Sequence, residues 1–263
     1  MTRLAAGAVY VEAAGRGPQT LACLHGWGLN LRVFDPLRAL LAEDCRTIAL
    51  DLPGHGRSGA AATCTLPSLA AAVWDALPPD PLALLGWSFG GQVALQMALQ
   101  QPARCRALVL IATTPRFVAA DDWPHGMPAA TAQQFLARLL ADVDGTIRDF
   151  LELQVRGSSA AATTLQALRA ALGAHGRPDV AWLEAALATL LAADLRSDVA
   201  ALGLPALVIA GQHDRITPVA ASRALAQALP QARLLELARA AHAPFLSHPR
   251  AVATAVREFL AAL

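Results

Sequence analysis

Short apolar runs recur along the chain, and each ends at glycine or a polar turn: TLACLHGWG from Thr20, CRTIALDLPGHG from Cys45, LALLGWSFGG from Leu82, RALVLIATTP from Arg106, PALVIAGQHD from Pro205 and ARLLELARAAHAP from Ala232. Runs of this length and ending predict β-strands. Between most of them lie segments with apolar residues at helical spacing, such as PSLAAAVWDAL and GQVALQMALQQP. Strands that alternate with helices predict an α/β fold, a mostly parallel sheet with helices on both faces. Ligands bind such sheets beyond the carboxyl ends of the strands. The polar residues that close each run are therefore where chemistry is expected.

One interval breaks the alternation. From about Pro115 to Ser197 there is no convincing strand pattern, whereas ATAQQFLARLLADV, GTIRDFLELQVRG, AATTLQALRAALG and VAWLEAALATLLAADL keep a helical period. Such an interval is too long for a structureless loop. The expected organisation is a core of residues 1–114 and 198–263, with residues 115–197 inserted between two core strands as a helical lid. Extra helices packed on the sheet are the plainer alternative.

Composition narrows the function classes. A chain of 263 residues suffices for one large α/β core with an insertion. The net charge of +1 supplies no overall field for nucleic acid or an anionic membrane. All basic residues are arginine, which reads as compositional bias. Cys23, Cys45, Cys64 and Cys105 show no C-x-x-C spacing and no grouping with histidines. Free buried thiols in a reducing compartment are favoured over disulfides or a metal site. Glu12 and several glycines interrupt the N-terminal segment where a signal peptide needs an unbroken apolar stretch. The uncharged run from Pro81 to Ala103 is long enough to span a bilayer, but its glycines, Ser88 and glutamines suit a buried strand, turn and helix better. The expectation is a soluble, cytoplasmic, monomeric protein with neither a nucleic-acid nor a membrane partner.

The chemistry starts at GWSFG, Gly86 to Gly90, which fits G-x-S-x-G. In that pattern small flanking residues let the chain turn sharply from strand to helix and expose the serine hydroxyl. The motif is short, but an apolar run before it and a helical period after it favour Ser88 as a nucleophile over a structural turn. A hydroxyl needs a base to take its proton. Among the seven histidines, His25 and His55 lie in glycine turns, and His125 and His175 look exposed in the insertion. His248 precedes Pro249 and suits the start of the last helix, while His213 should point away from its neighbour Asp214. His242, on the loop after the last β-type run, is best placed for the base, against the alternative of a structural histidine. Asp214, closing PALVIAGQH, is the candidate to orient it, against the alternative of a turn aspartate. Asp51, ahead of the serine in LDLPGHG, reads as a turn residue. The order Ser88, Asp214, His242 is that of α/β-hydrolases. The backbone N–H groups of Phe89 and Trp27, the latter in HGWG, are the candidate oxyanion donors; each such donor lowers the barrier by about 3–4 kcal/mol. The Trp27 side chain equally suits a core aromatic.

With these residues assembled, the chain resembles an α/β-hydrolase over essentially its whole length. More narrowly it resembles the pimeloyl-[acyl-carrier protein] methyl ester esterases of biotin synthesis, through LHGWGLN, DLPGHGRS, LLGWSFGGQVALQMA, DDWP, DFLELQ and AAHAPFLSHP. DLPGHGRS is widespread in the superfamily; GWSFGG, DDWP, DFLELQ and AAHAPFLSHP together are more specific. The resemblance implies a serine esterase that removes methanol from a pimeloyl methyl ester, with an acyl-carrier protein as partner. It implies that Phe150, Leu151, Glu152, Leu153 and Gln154 bind substrate together with Trp27, Ser88, Phe89 and His242. By periodicity alone Phe150, Leu151 and Leu153 equally suit the insertion's own core. An acidic carrier implies a basic docking patch, for which Arg138, Arg148, Arg156 and Arg169 are candidates, although residues 115–197 hold seven arginines against nine acidic residues. Solvated helix faces explain scattered arginines as well. The reaction calls for no cofactor and no metal. Two alternatives remain open at this level: a generalist carboxylesterase or lactonase with the same triad, and a non-catalytic binding protein on the same fold.

Overall fold

The computed structural model describes residues 5, 7–176 and 179–263. Among them the chain forms a seven-stranded sheet: β1 (Val11–Ala14), β2 (Gln19–Leu24), β3 (Cys45–Leu50), β4 (Leu82–Trp87), β5 (Cys105–Ile111), β6 (Pro205–Gly211) and β7 (Gln231–Leu237). Their order across the sheet is β1-β3-β2-β4-β5-β6-β7. β1 runs antiparallel to β3, and the other neighbours are parallel. All the runs expected to be strands are strands, and β1 is an addition at the edge.

Burial explains the texture of each strand. β4 is buried along its whole length, which its unbroken apolar sequence LALLGW permits because helices cover both faces. β7 and β1 lie at the edges and are largely accessible, so QARLLEL and VEAA mix polar with apolar positions. The final helix, Pro249–Ala261, starts at His248 with Pro249 in its first turn and buries Val252, Val256, Phe259 and Leu260 along one stripe. The strand order reverses around β2, where successive strands go to opposite sides, and this opens a crevice beyond the carboxyl ends of β2 and β4.

Between β5 and β6 the chain makes four long helices, Ala129–Ala141, Val143–Val155, Ala161–Ala174 and Val180–Ala192. Asp142 caps the second by accepting from the Gly145 N–H, and Asp179 caps the fourth by accepting from the Trp182 N–H. The two ends of this insertion meet: the Leu195 N–H donates to the Pro115 carbonyl at 2.9 Å, and Arg116 pairs with Asp194 at 2.7 Å. Side chains also fasten it to the core. Trp27 Nε1 donates to the Leu183 carbonyl, Trp182 Nε1 to that of Pro53, and Asn30 Nδ2 to that of Ala171. Each N–H would lose solvent on burial, so pairing avoids a penalty of about 1–3 kcal/mol.

The cysteines are free; Cys23, Cys45 and Cys105 are buried and Cys64 is half-buried. Burial pushes the Cys23 and Cys105 thiols up to about 12 and that of Cys45 up to about 11, which keeps them protonated. Among the described residues no helix is long and apolar enough to cross a membrane.

Candidate active site

β4 ends at Trp87, and the helix Phe89–Gln100 begins one residue later, so the whole change of direction falls on Ser88. Its backbone sits at φ 55, ψ −118, a region that costs a side chain about 1–3 kcal/mol. Neighbours impose that conformation. The Ser88 N–H donates to Ile111, and its carbonyl accepts from the Gly91 N–H and from Thr113 Oγ1. Crossing chains leave no space for side chains at two flanking glycines. A Cβ on Gly86 would lie 2.4 Å from the Gly90 carbonyl oxygen, and one on Gly90 would lie 2.3 Å from that of Leu24.

His242 lies on the loop after β7 and is buried. Three contacts fix it. Its Nδ1 is 2.8 Å from Asp214 Oδ2, its N–H donates to the Gln154 carbonyl at 3.0 Å, and its carbonyl accepts from Trp87 Nε1 at 2.8 Å. The other carboxylate oxygen of Asp214 accepts from the Ile216 and Thr217 N–H groups. An acceptor-only carboxylate requires the proton on Nδ1, which leaves the Nε2 lone pair free to take a proton. Nε2 is buried and makes no hydrogen bond among the described residues. Nucleophile–base contacts often tighten only when substrate binds.

The HGWG loop after β2 approaches Ser88 closely, since a Cβ on Gly26 would lie 3.4 Å from the Ser88 Cβ. The Trp27 N–H makes no hydrogen bond among the described residues. Phe89 opens its helix, so its N–H has no intrahelical acceptor and lies at the positive end of the helix dipole. His25 ties this loop to the next: its Nδ1 lies 2.7 Å from the Gly26 carbonyl, and its Nε2 accepts from the Leu52 N–H at 2.9 Å. Burial lowers the His25 pKa, which keeps Nε2 an acceptor.

Above Ser88 lies an apolar cavity of about 60 Å³. Trp27, Phe135 and Phe150 form one wall, their rings meeting at centroid separations of 5.3 to 5.6 Å. Phe117, Met127, Leu153, Leu187 and Ile216 line the rest, and Ser88 and Thr131 contribute its polar side chains. No charged side chain faces this space. Its lining offers no counter-ion to a carboxylate.

The structure gathers Ser88, Trp27, Phe150 and Leu153 around the cavity and sets the His242–Asp214 pair beside the serine's strand. It does not gather the rest of the 150–154 segment there. Leu151 is buried on another side, and Glu152 is exposed and pairs with Arg169. Gln154 is buried, its side-chain nitrogen and oxygen make no hydrogen bond among the described residues, and its backbone carbonyl meets His242. Phe89 is buried and its side chain does not line the cavity. Arg138 pairs with Asp149, whereas Arg148 and Arg156 are exposed and make no ion pair among the described residues.

Two histidines differ from expectation. His175 is not exposed: it is buried with Nδ1 2.8 Å from Asp51 Oδ2, because the end of its helix packs beside the core loops. His125 is half-buried against the Trp123 ring. Asp51 is more than a turn residue, since it also accepts from the Leu31 and Arg57 N–H groups. His213 points out beside the inward Asp214, and His248 opens the last helix. The link from Trp87 to His242 was not foreseen; its only sequence signal is a tryptophan ahead of the elbow serine. Among the described residues no group of three or more histidine, cysteine or acidic side chains is placed to hold a metal.

Comparison with known proteins fits this geometry. Residues 19–249 match the family model described as alpha/beta hydrolase fold. A Stenotrophomonas maltophilia protein named pimeloyl-[acyl-carrier protein] methyl ester esterase is 42% identical over 256 residues, covering 97% of each chain. A Nitrosomonas europaea protein of the same name is 41% identical over 241 residues, covering 92% of this chain and 95% of the other. Among solved structures, an esterase from Exiguobacterium antarcticum superposes with a TM-score of 0.86 at 23% identity, covering 95% of this chain and 94% of that one. At that identity the likeness speaks for the fold.

Proposed function

The chain belongs to the α/β-hydrolase fold family and, within it, to the pimeloyl-[acyl-carrier protein] methyl ester esterases, and we propose that it is a serine carboxylesterase acting on that methyl ester. The observation that carries the reading is a serine at a strained elbow, fastened through Trp87 to a buried histidine–aspartate pair and opening on an apolar cavity.

Ser88 Oγ attacks the ester carbonyl as His242 Nε2 takes its proton. The Trp27 and Phe89 N–H groups receive the oxyanion. His242 returns the proton to the departing methoxy oxygen, methanol leaves, and an acyl-enzyme remains. Water, deprotonated by His242, then releases the acid and restores Ser88. Asp214 holds the imidazole in the required tautomer throughout. A carboxylate formed in an uncharged apolar cavity is poorly solvated, which favours product release.

The helices between β5 and β6 serve as a lid over this cavity. Its wall of Phe135, Phe150 and Leu153 also lines an outer groove that holds Arg138 and Arg156. An acyl chain passing that wall would bring the acidic carrier to the groove. The 60 Å³ cavity compares with roughly 10–15 Å³ needed for one water by the same measure, so a pimeloyl chain requires the wall to part. The enzyme acts as a cytoplasmic monomer in this reading, and its free cysteines favour a reducing compartment.

The test is hydrolysis of the carrier-bound methyl ester by the protein and by Ser88→Ala, with complementation of a biotin-requiring strain that lacks this esterase. Turnover lost in Ser88→Ala with an intact fold, together with restored growth, supports the reading. Turnover of short p-nitrophenyl esters alone, without complementation, would make the protein a generalist esterase instead.

A further inference from the structure

We propose that Trp87 is a positioning residue for the base: its indole N–H, donated to the His242 carbonyl, sets where the imidazole stands relative to Ser88. The proposal rests on the esterase reading above.

His242 needs such a fastening because it is not on a strand. β7 ends at Leu237, and the loop that follows is held by the contacts it makes. Of the three that reach His242, Asp214 comes from the loop after β6 and Gln154 from the insertion. Of these three, Trp87 is the one that ties the base to the elbow itself. It is the last residue of β4 and is covalently joined to Ser88, so a single hydrogen bond closes the path from nucleophile to base.

Trp87 is itself fixed. It is buried, with its ring edge-on to Phe245 at 5.0 Å and 5.6 Å from the His242 ring. The Gly26 backbone lies beside the same ring, so close that a Cβ there would come within 3.2 Å of it, which limits how the indole can turn. Among the described residues the His242 carbonyl accepts from no other donor, and a buried carbonyl left unpaired there draws the loop toward a new partner. A shift of about 1 Å in a catalytic group costs on the order of a hundredfold in rate. The indole does not line the cavity, so substrate binding would be spared.

That separation of rate from binding identifies the role. Methoxide is a poor leaving group and needs the proton His242 delivers, whereas p-nitrophenolate leaves without one. Loss of the N–H is therefore expected to harm the methyl ester more than the nitrophenyl ester.

Trp87→Phe removes the N–H but leaves a void in a packed core, so it serves only as a first variant. The decisive protein carries β-(3-benzothienyl)alanine at position 87, where sulfur replaces the ring N–H at nearly the same volume; 5-fluorotryptophan at that position keeps the N–H. With the benzothienyl side chain we expect an unchanged fold by circular dichroism. The kcat on the carrier-bound methyl ester should fall about 10- to 100-fold, with KM within about twofold. The loss on p-nitrophenyl butyrate should be smaller, and the fluorinated protein should match the parent. A benzothienyl protein with parental kcat, or one in which KM rises while kcat holds, would overturn the role of Trp87. A parent that hydrolyses neither ester would instead overturn the esterase reading beneath it.

Discussion

His242 Nδ1 lies 2.8 Å from Asp214 Oδ2, and both side chains are almost wholly removed from water. The opposite carboxylate oxygen is held by two backbone N–H groups at 2.8 and 2.9 Å, so the aspartate cannot rotate away. Asp214 thus dictates which imidazole nitrogen bears the proton. Asp214→Asn keeps the shape but lets the amide donate to Nδ1, which moves the ring proton to Nε2, the wrong side. We expect kcat to fall by about 10³- to 10⁴-fold with little change in KM, the size of loss found when such an aspartate is amidated elsewhere. Steady-state kinetics on either ester checks this; a loss under about tenfold would remove Asp214 from the mechanism.

The elbow stores strain that a glycine would release. Ser88 holds φ 55, and its side chain does not cap the helix that follows. Ser88→Gly and Ser88→Ala should be equally inactive, yet the glycine protein should be the more stable by about 1 kcal/mol, after its greater unfolded-state entropy is set against the relieved backbone. In a chain of this size that corresponds to roughly 2–4 °C in melting temperature. Equal melting points would mean that the surroundings bear the cost differently.

What the sequence revealed and what it hid follow from the range of the forces involved. The buried strands announce themselves because burial on both faces demands unbroken apolar runs, as in LALLGW. Ser88 is legible because its glycines are forced by chains crossing at close range. β1 escaped notice because it is four residues long, exposed and defined by its antiparallel pairing with β3 rather than by its own pattern. His175 looked exposed beside glycines, but a distant carboxylate, Asp51, claims it. The Trp87–His242 bond joins residues 155 apart, and no local pattern encodes such a meeting. The same holds for the 150–154 segment. A helix carries successive residues around its axis, so Phe150 and Leu153 reach the cavity while Glu152 meets solvent and Arg169.

The proposed docking of an acidic carrier would distinguish between two pairs of arginines. Arg138 and Arg156 line the groove that shares a wall with the cavity, whereas Arg148 and Arg169 line a groove with Leu151 and Asp144. Arg138 is already paired with Asp149 and Arg169 with Glu152, whereas Arg156 at the nearer groove makes no ion pair among the described residues. Arg156→Glu should lower kcat/KM on the carrier-bound ester about tenfold, chiefly through KM, and leave p-nitrophenyl butyrate untouched. Arg148→Glu should matter less. Added salt should reproduce the first effect, since exposed charges are screened within about 8 Å at physiological ionic strength. If Arg148→Glu proves the more harmful, the carrier approaches from the other groove.

The neck of the insertion gives a pH dependence with a definite sign. Asp194 accepts from Arg196 through both carboxylate oxygens and from Arg116 at 2.7 Å. These bonds, with those to Arg196 the largest cause, lower its pKa from 3.8 to about 2. A depressed folded-state value means that the ion pairs add stability above the ordinary carboxylate range and lose it as pH falls from about 4 through about 2. The stability gap between the protein and Asp194→Asn, read from urea unfolding, should be constant from neutral pH to about 5 and then narrow on acidification. Its size should be modest and shrink with salt, because these side chains are partly solvated. In the folded protein the Asp194 carboxyl carbon, followed by NMR, should still report the ionised form at about pH 3, where an unperturbed aspartate near 3.9 is mostly protonated. A midpoint at that unperturbed value would show that Arg116 and Arg196 do not hold the neck in solution.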